Sequence, residues 1–229
     1  AQQGFKTLLL DLDSQSNATS GVGIISDELE STIYDVLISK TSITDAVYPT
    51  AFDNLHVIPS NKDLAGAEVE MVELKNRNTR MKNCLDSIKN KYDFIISMDA
   101  DFSHNPNELP KMLDSLHAGV DVMIGSRYIN GVSVVNWPIG RILLSYFAQI
   151  YVRLITNMPI KDPTSGFVAY KAKCIDSLDL DKFRFIGYAF QIEMKFKAHS
   201  NGFKLIDIPI VFTDRTKAEA KTSLSIVWE

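Results

Sequence analysis

Cysteine is scarce in this chain of 229 residues: Cys84 and Cys174 lie far apart, with no CxxC spacing. Neither a zinc site nor a disulfide framework is expected, and two lone thiols fit a reducing, cytosolic setting. A basic excess is missing as well. Lys and Arg number 24 against 28 Asp and Glu, a formal net charge of -4. That balance argues against broad polyanion binding, so nucleic acid is not an expected partner, although local basic sites stay open. No apolar run reaches the ~20 residues of a membrane-spanning helix. The nearest, Ile139 to Met158, is interrupted by Arg141 and Arg153. Ala1 to Lys6 has no basic stretch, apolar run or small-residue cleavage site, so secretion is not expected. Internal repeats, low-complexity tracts and a linker are also absent.

What is present suffices for a core. A hydrophobic fraction of 45% in a chain of this length supports one large or two small domains. Lys6 to Asp11 is a short apolar run that ends in an acidic, Ser-rich loop, which predicts a buried strand and a turn able to carry a site. Leu55 to Ile58 predicts a strand closed by Pro59. The spacing of Leu64, Ala67, Met71, Leu74, Met81, Leu85 and Ile88 predicts helix from Asp63 to Lys91, broken near Asn76 to Asn78. Strands are then expected at Phe94–Met98, Asp121–Gly125 and Leu205–Phe212, and helices at Pro106–His117, Ile139–Asn157 and Tyr188–Ser200. This alternation predicts an α/β fold with a mostly parallel sheet flanked by helices, whose sites gather at the carboxyl ends of strands.

Met98-Asp-Ala-Asp-Phe-Ser-His104 puts two carboxylates directly after a strand and one residue apart. Hard oxygen ligands so placed suit Mg²⁺ or Mn²⁺. An Asp-X-Asp triplet is common by chance, and its plainest reading is a solvated strand end with Ser103 or Asn105 capping the next helix. Its company makes it specific. Gly125-Ser-Arg-Tyr128 follows, then Asn136-Trp-Pro138 with Arg141 and Ser145, then Asp162-Pro-Thr-Ser-Gly-Phe167, then Gly187-Tyr-Ala-Phe-Gln-Ile-Glu193.

This ordered series, from about Asp93 to Ser223, resembles the dolichyl-phosphate mannosyltransferase group of glycosyltransferase family 2. The resemblance implies a Rossmann-like architecture of the glycosyltransferase A type. It implies that Asp99 and Asp101 serve the metal and the donor diphosphate, with Asp101, Arg127 and Arg141 central to catalysis. Arg127, Arg141 and Ser145 would hold the acceptor phosphate. Arginine's planar fork suits phosphate oxygens, and a phosphate nucleophile whose second pKa is about 6 needs no dedicated base. For either arginine alone, pairing with a nearby acid is the simpler reading; together, phosphate is favoured. Arg215 and Lys221 would contact the donor diphosphate from the late segment Asp214-Arg-Thr-Lys-Ala-Glu-Ala-Lys-Thr-Ser223. That segment departs from the family pattern at Ala218, Ala220 and Thr222, and Ser103 is shorter than the polar residue usual there. His104 is expected to be a local hydrogen-bonding residue, and Glu193 a structural partner. Tyr146, Phe147, Tyr151 and Leu154 are read as core or packing residues, with a lipid-facing stripe as the alternative.

The first part of the chain points elsewhere. Leu8-Leu-Leu-Asp-Leu-Asp-Ser-Gln-Ser-Asn-Ala-Thr-Ser-Gly21, Thr32-Ile-Tyr-Asp-Val-Leu37 and Ile58-Pro-Ser-Asn-Lys-Asp-Leu-Ala-Gly-Ala-Glu68 resemble ParA-type partition ATPases. A phosphate-cradling P-loop would be expected before Lys6, where only Ala1 to Phe5 stand. Asp11 and Asp13 are then buried strand-end acids, with nucleotide contact as the alternative. The expected organisation is a ParA-like segment at 1–92 and a family 2 part at 93–229, joined within the strand Asp93–Met98 as one continuous α/β unit of chimeric origin.

The leading functional expectation is metal-dependent transfer of a hexose from a nucleotide sugar, GDP-mannose or UDP-glucose, to a polyprenyl phosphate. The setting would be the cytoplasmic face of a membrane, with the chain held peripherally. The alternative is a catalytically inactive α/β chimera with residual nucleotide or phosphate binding. A ParA-type ATPase ranks behind both.

Overall fold

A computed structural model describes residues 1–73, 79–101, 103–185 and 187–214, apart from the side chains at 68, 73 and 181. The expected helix break at 76–78 lies outside them. The chain divides into two compact units, Ala1–Lys91 and Tyr92–Glu229.

In the first unit, β1 (Thr7–Leu10) runs parallel to β3 (Leu55–Ile58), and β2 (Tyr48–Pro49) pairs antiparallel on the other side of β3. Short helices α1 (Asn17–Gly21) and α2 (Ile33–Leu37) stand between β1 and β2; α3 (Leu64–Glu70) and α4 (Arg80–Leu85) follow β3. Helix α2 starts where its sequence says it should: the Thr32 N–H donates to Asp35 Oδ2 at 2.9 Å, satisfying an otherwise orphaned donor. Ile33, Val36 and Leu37 then point into a core with Ile43, Ala46, Ile58 and Ile88. Asp11 closes β1. Its Oδ2 accepts from Thr19 N at 2.8 Å and Thr19 Oγ1 at 2.7 Å, and Thr19 Oγ1 in turn accepts from Ser60 N at 3.0 Å. This buried acid stitches three segments together.

The second unit holds a sheet in the order β4-β7-β5-β8: β4 (Phe94–Ser97), β7 (Val168–Lys171), β5 (Val122–Ser126) and β8 (Leu205–Pro209). Strands β4, β5 and β8 all run one way, and β7 runs against its two neighbours. The class is α/β, as the alternation predicts, but the sheets are mixed. Sequence reading gives no strand at Val168–Lys171: four residues wedged between a Gly turn and helix α7 (Ala172–Asp176) offer too short a period. The remaining elements are α5 (Leu109–His117), α6 (Ile139–Thr156), α8 (Gly187–Ser200) and a parallel pair, β6 (Val134–Val135) with β9 (Phe212–Thr213). The expected strand Leu205–Phe212 is therefore two strands, ended at Pro209, which has no N–H to continue a ladder.

Side-chain alternation decides what each face packs against. Val122 and Ile124 of β5 join Val168 and Tyr170 of β7 in a cluster with Met158, Ile160, Met194 and Ala198. Met123 and Ala169 face the other way, into Met112, Leu116, Phe167 and Ile210. Gly125 makes that second layer possible, because a Cβ there would lie 2.8 Å from Phe167 Cδ1.

Topology also places the site. Ser97 and Ile124 both pair with Val168, so the carboxyl ends of β4 and β5 meet the start of β7 along one edge of the sheet. The loops carrying Asp99, Arg127 and Asp162 all emerge there.

Candidate functional site

Asp99 and Asp101 lie in the turn after β4. The Asp99 side chain is 54% exposed, and its N–H donates to His104 Nδ1 at 3.0 Å. Asp101 Oδ1 accepts from the N–H of Ser103 at 3.0 Å and from its hydroxyl at 2.5 Å. Buried Ser103 thus orients the Asp101 carboxylate. Burial pushes the His104 imidazole below its usual range, although Asp99 and Asp101 pull the other way. As expected, His104 forms a local hydrogen bond.

Arg127, just past β5, is almost wholly buried in a bidentate pair. Its Nε donates to Asp162 Oδ2 at 2.7 Å and its Nη2 to Asp162 Oδ1 at 2.8 Å, with Nη2 also 2.9 Å from Thr164 Oγ1. Burial alone would raise the Asp162 pKa; hydrogen bonds and charge from Arg127 override it and hold the carboxyl below its ordinary range. The sequence offered Asp162 within a motif but no sign that it is the counter-ion of Arg127, 35 residues earlier.

Arg141, in the first turn of α6, donates from Nη1 to Asp214 Oδ2 at 2.9 Å. Its guanidinium carbon lies 4.1 Å from the Trp137 ring centre, and that of Arg127 lies 5.5 Å from the same ring. One turn further on, Ser145 Oγ shares a hydrogen bond with Tyr128 Oη. Arg127, Arg141 and Ser145 are therefore gathered around two aromatic rings, Trp137 and Tyr128. Phe212 of β9 joins this group to the carboxylate turn: its ring centre is 5.6 Å from Trp137 and 5.4 Å from His104. Phe212 carried no sequence signal of a place at the site, because an apolar residue within a strand bears no mark of what it packs against. Arg215 and Lys221 lie outside the described residues.

Behind the site sits Lys195, fully buried, whose ammonium donates to Ser165 O at 2.8 Å and Gln191 O at 3.0 Å. Burial pushes its pKa down to about 7. Asp207 on β8 accepts from the Lys161 N–H through Oδ2, while its buried Oδ1 has no partner among the described residues. Burial raises its pKa to about 6. A carboxyl whose folded pKa is raised stabilises the fold fully below the unfolded value and loses that contribution as pH rises through about 6. Asp207→Asn is therefore expected to stabilise the chain at pH 7 by about 1–2 kcal/mol. Urea titrations at pH 7 and pH 4 check this, and a gain as large at pH 4 would refute the cause.

Glu193 is the structural partner that its helix position suggested. It accepts from the N–H groups of Arg184 and Phe185 and pairs with Lys197. Tyr146, Phe147, Tyr151 and Leu154 are a correction: they are not core residues. Leu154 is 79% exposed and Tyr151 67%, and Ile139, Leu143 and Phe147 extend the same face of α6.

Residues 75–178 match the model of Glycosyl transferase family 2, and residues 1–105 match that of an AAA domain. The chain resembles two families. Its later part is similar to polyprenol monophosphomannose synthase of Mycolicibacterium smegmatis, 40% identical over 142 residues, 62% of this chain and 54% of that protein. Its earlier part is similar to the sporulation initiation inhibitor protein Soj of Bacillus subtilis, 43% identical over 93 residues, 41% of this chain and 37% of that protein. Among solved structures, cobyrinic acid a,c-diamide synthase from Mycobacterium smegmatis with a bound ATP analogue and magnesium aligns at 30% identity. That alignment covers 40% of this chain and 37% of the other, with a TM-score of 0.37. The chain thus spans about half or less of the relatives it matches. The glycosyltransferase resemblance holds the carboxylate turn, Arg127 and Arg141 within its matched residues, and the ParA-type resemblance holds Asp11.

Proposed function

We propose that the family 2 part transfers a hexose, mannose by the name of its relative, from a nucleotide sugar to a polyprenyl phosphate in a metal-dependent reaction. The observation that carries this reading is the convergence of Arg127, Arg141 and Ser145 on Trp137 and Tyr128, joined through Phe212 to the Asp99–Asp101 turn.

Two carboxylates fit a divalent ion of the Mg²⁺ or Mn²⁺ type. Such ions are commonly held by one or two protein carboxylates and share the rest of their shell with phosphate oxygens and water. Asp99 and Asp101, one residue apart in the turn after β4, would be the protein ligands of such an ion; among the described residues no group of three or more His, Cys, Asp or Glu could hold a metal. When bound, the ion would neutralise charge on the departing diphosphate. The chain's own residues position the reactants. Arg141 already grips one carboxylate, Asp214, in the manner in which it would grip a phosphate. The buried indole N–H of Trp137, without a partner among the described residues, would give such a phosphate a further donor. Arg127 stays in place through Asp162 and contributes its field. The acceptor phosphate, already anionic, attacks without losing a proton to the protein.

The exposed apolar face of α6 supports a peripheral position on a membrane, with acceptor lipid entering beside Arg141 and Ser145. No helix among the described residues is long and apolar enough to cross one. A second reading is a folded chain without turnover that keeps residual phosphate or nucleotide binding; it draws on the occupation of both arginines by Asp162 and Asp214. Incubation with radiolabelled GDP-mannose or UDP-glucose, Mn²⁺ and a polyprenyl phosphate separates the two. Labelled lipid is expected with one donor and lost in Arg141→Ala. No labelled lipid with either donor overturns the transferase reading, and calorimetry with GDP and UDP then tests the residual binding.

A further inference from the structure

We propose that His104 is the positioning residue of the carboxylate turn: its neutral imidazole fixes the backbone at Asp99, so that Asp99 and Asp101 are held ready for one divalent cation. This rests on the transferase reading above, and it assigns to His104 a task separate from binding the ion.

The His104 side chain is 3% exposed. Its face lies on Phe167 with ring centres 4.9 Å apart and planes 20° from parallel, and Phe212 meets it edge-on at 5.4 Å. Phe167 is fully buried at the entry to β7, and Phe212 belongs to β9. The orientation of the ring is thus decided by Phe167 of the core and Phe212 of β9, not by the turn it serves.

From that fixed ring, Nδ1 accepts the Asp99 N–H at 3.0 Å. An imidazole accepting at Nδ1 carries its proton at Nε2, so both nitrogens are committed and neither offers a lone pair to a metal. The other end of the turn is tied too: the Thr213 N–H donates to Ser103 O at 3.3 Å, and Ser103 holds Asp101 Oδ1. A turn of this length left free would lose about 1–2 kcal/mol of backbone entropy per residue on closing around an ion. Pinning it at both ends removes much of that loss beforehand. Partners that orient metal ligands commonly change metal affinity by about 10–100-fold when removed.

Two variants separate the hydrogen bond from the ring. His104→Phe keeps a flat ring between Phe167 and Phe212 but has no acceptor; His104→Asn gives up the stack but places an amide oxygen where Nδ1 stood. Mn²⁺ binding to the full chain is titrated by electron paramagnetic resonance, with Asp101→Ala to locate the ion, and exchange of the Asp99 amide is followed by NMR. The Phe variant is expected to bind Mn²⁺ about tenfold more weakly and to exchange the Asp99 amide at least about tenfold faster, with the Ile96 amide unchanged. The Asn variant is expected to stay within about threefold of wild type in both. Wild-type affinity and protection in the Phe variant would overturn the inference, as would an Asn variant as weak as the Phe variant. A wild-type chain that binds no Mn²⁺ fails differently: it removes the metal reading itself, and this inference with it.

Discussion

Asp162→Asn is expected to lower the stability of the second unit by about 3 kcal/mol, because removing one partner of a buried ion pair leaves the other charge buried and uncompensated. Arg127 has little alternative. Its side chain is only 11% exposed, its Nε and Nη2 are aimed at the two carboxylate oxygens, and among the described residues Thr164 Oγ1 is the further side-chain acceptor on that fork. An amide at position 162 offers one oxygen and brings an N–H against the guanidinium. Urea unfolding followed by intrinsic fluorescence measures the loss, and Arg127→Met/Asp162→Leu is expected to recover part of it, since an apolar replacement of both partners removes the desolvation cost along with the attraction. The more open Arg141–Asp214 pair, with side chains 29% and 24% exposed, is the control. Asp214→Asn should cost under about 1 kcal/mol. A comparable loss in both variants would show that burial does not set the difference. The pH dependence has a definite sign. The folded pKa of Asp162 is depressed, so its contribution is present above the unfolded carboxyl value of about 3.9 and fades as pH falls through the lower folded value. The Asn variant should lack that acid limb.

Asp101→Ala is expected to reduce transfer by about 100-fold or more, the range seen when a group stabilising transition-state charge is removed, and to abolish saturable Mn²⁺ binding. Stability should fall by about 1–2 kcal/mol, because buried Ser103 loses the acceptor of its N–H and hydroxyl, while the carboxylate itself stands outside the apolar clusters. Asp101→Asn keeps the acceptor oxygen for Ser103 but lowers the charge, so it should fall between wild type and the Ala variant in Mn²⁺ affinity. Product formation unaffected by Asp101→Ala would remove Asp101 from the assigned role. Loss of product with a parallel loss of folding, read by thermal unfolding, would mean that the carboxylate holds the turn and not the ion.

The contrast between the two arginines bears on how the site would work. Both face a carboxylate, yet the Asp162 fork is closed and deep, whereas Asp214 lies on the segment leading to Arg215. A phosphate arriving at Arg141 competes with a partly solvated partner; at Arg127 it would have to displace a buried one. Under the proposed function, direct phosphate contact would fall first to Arg141, with Arg127 acting mainly through its position and charge.

Much of this was legible in the sequence, because it rests on local rules. The short apolar runs at Thr7–Leu10, Leu55–Ile58, Phe94–Ser97 and Val122–Ser126, bounded by turn residues, and the helical spacing from Ile139 and Tyr188 follow from local composition and from side-chain direction along an element. The placing of Asp99 and Asp101 after a strand, and of Arg127 after another, needed only the order of residues. What tertiary structure alone decided is which distant groups meet. Strand β7 runs against its neighbours, which brings the Asp162 loop to the ends of β4 and β5 and so gives Arg127 its counter-ion. Pro209 splits the last strand, and the short β9 that results sets Phe212 between His104 and Trp137. Burial was likewise invisible beforehand: apolar residues on α6 stand exposed, while Lys195 is enclosed. Periodicity reports a residue's direction relative to its own element; whether that direction meets protein or solvent depends on what the rest of the chain places there.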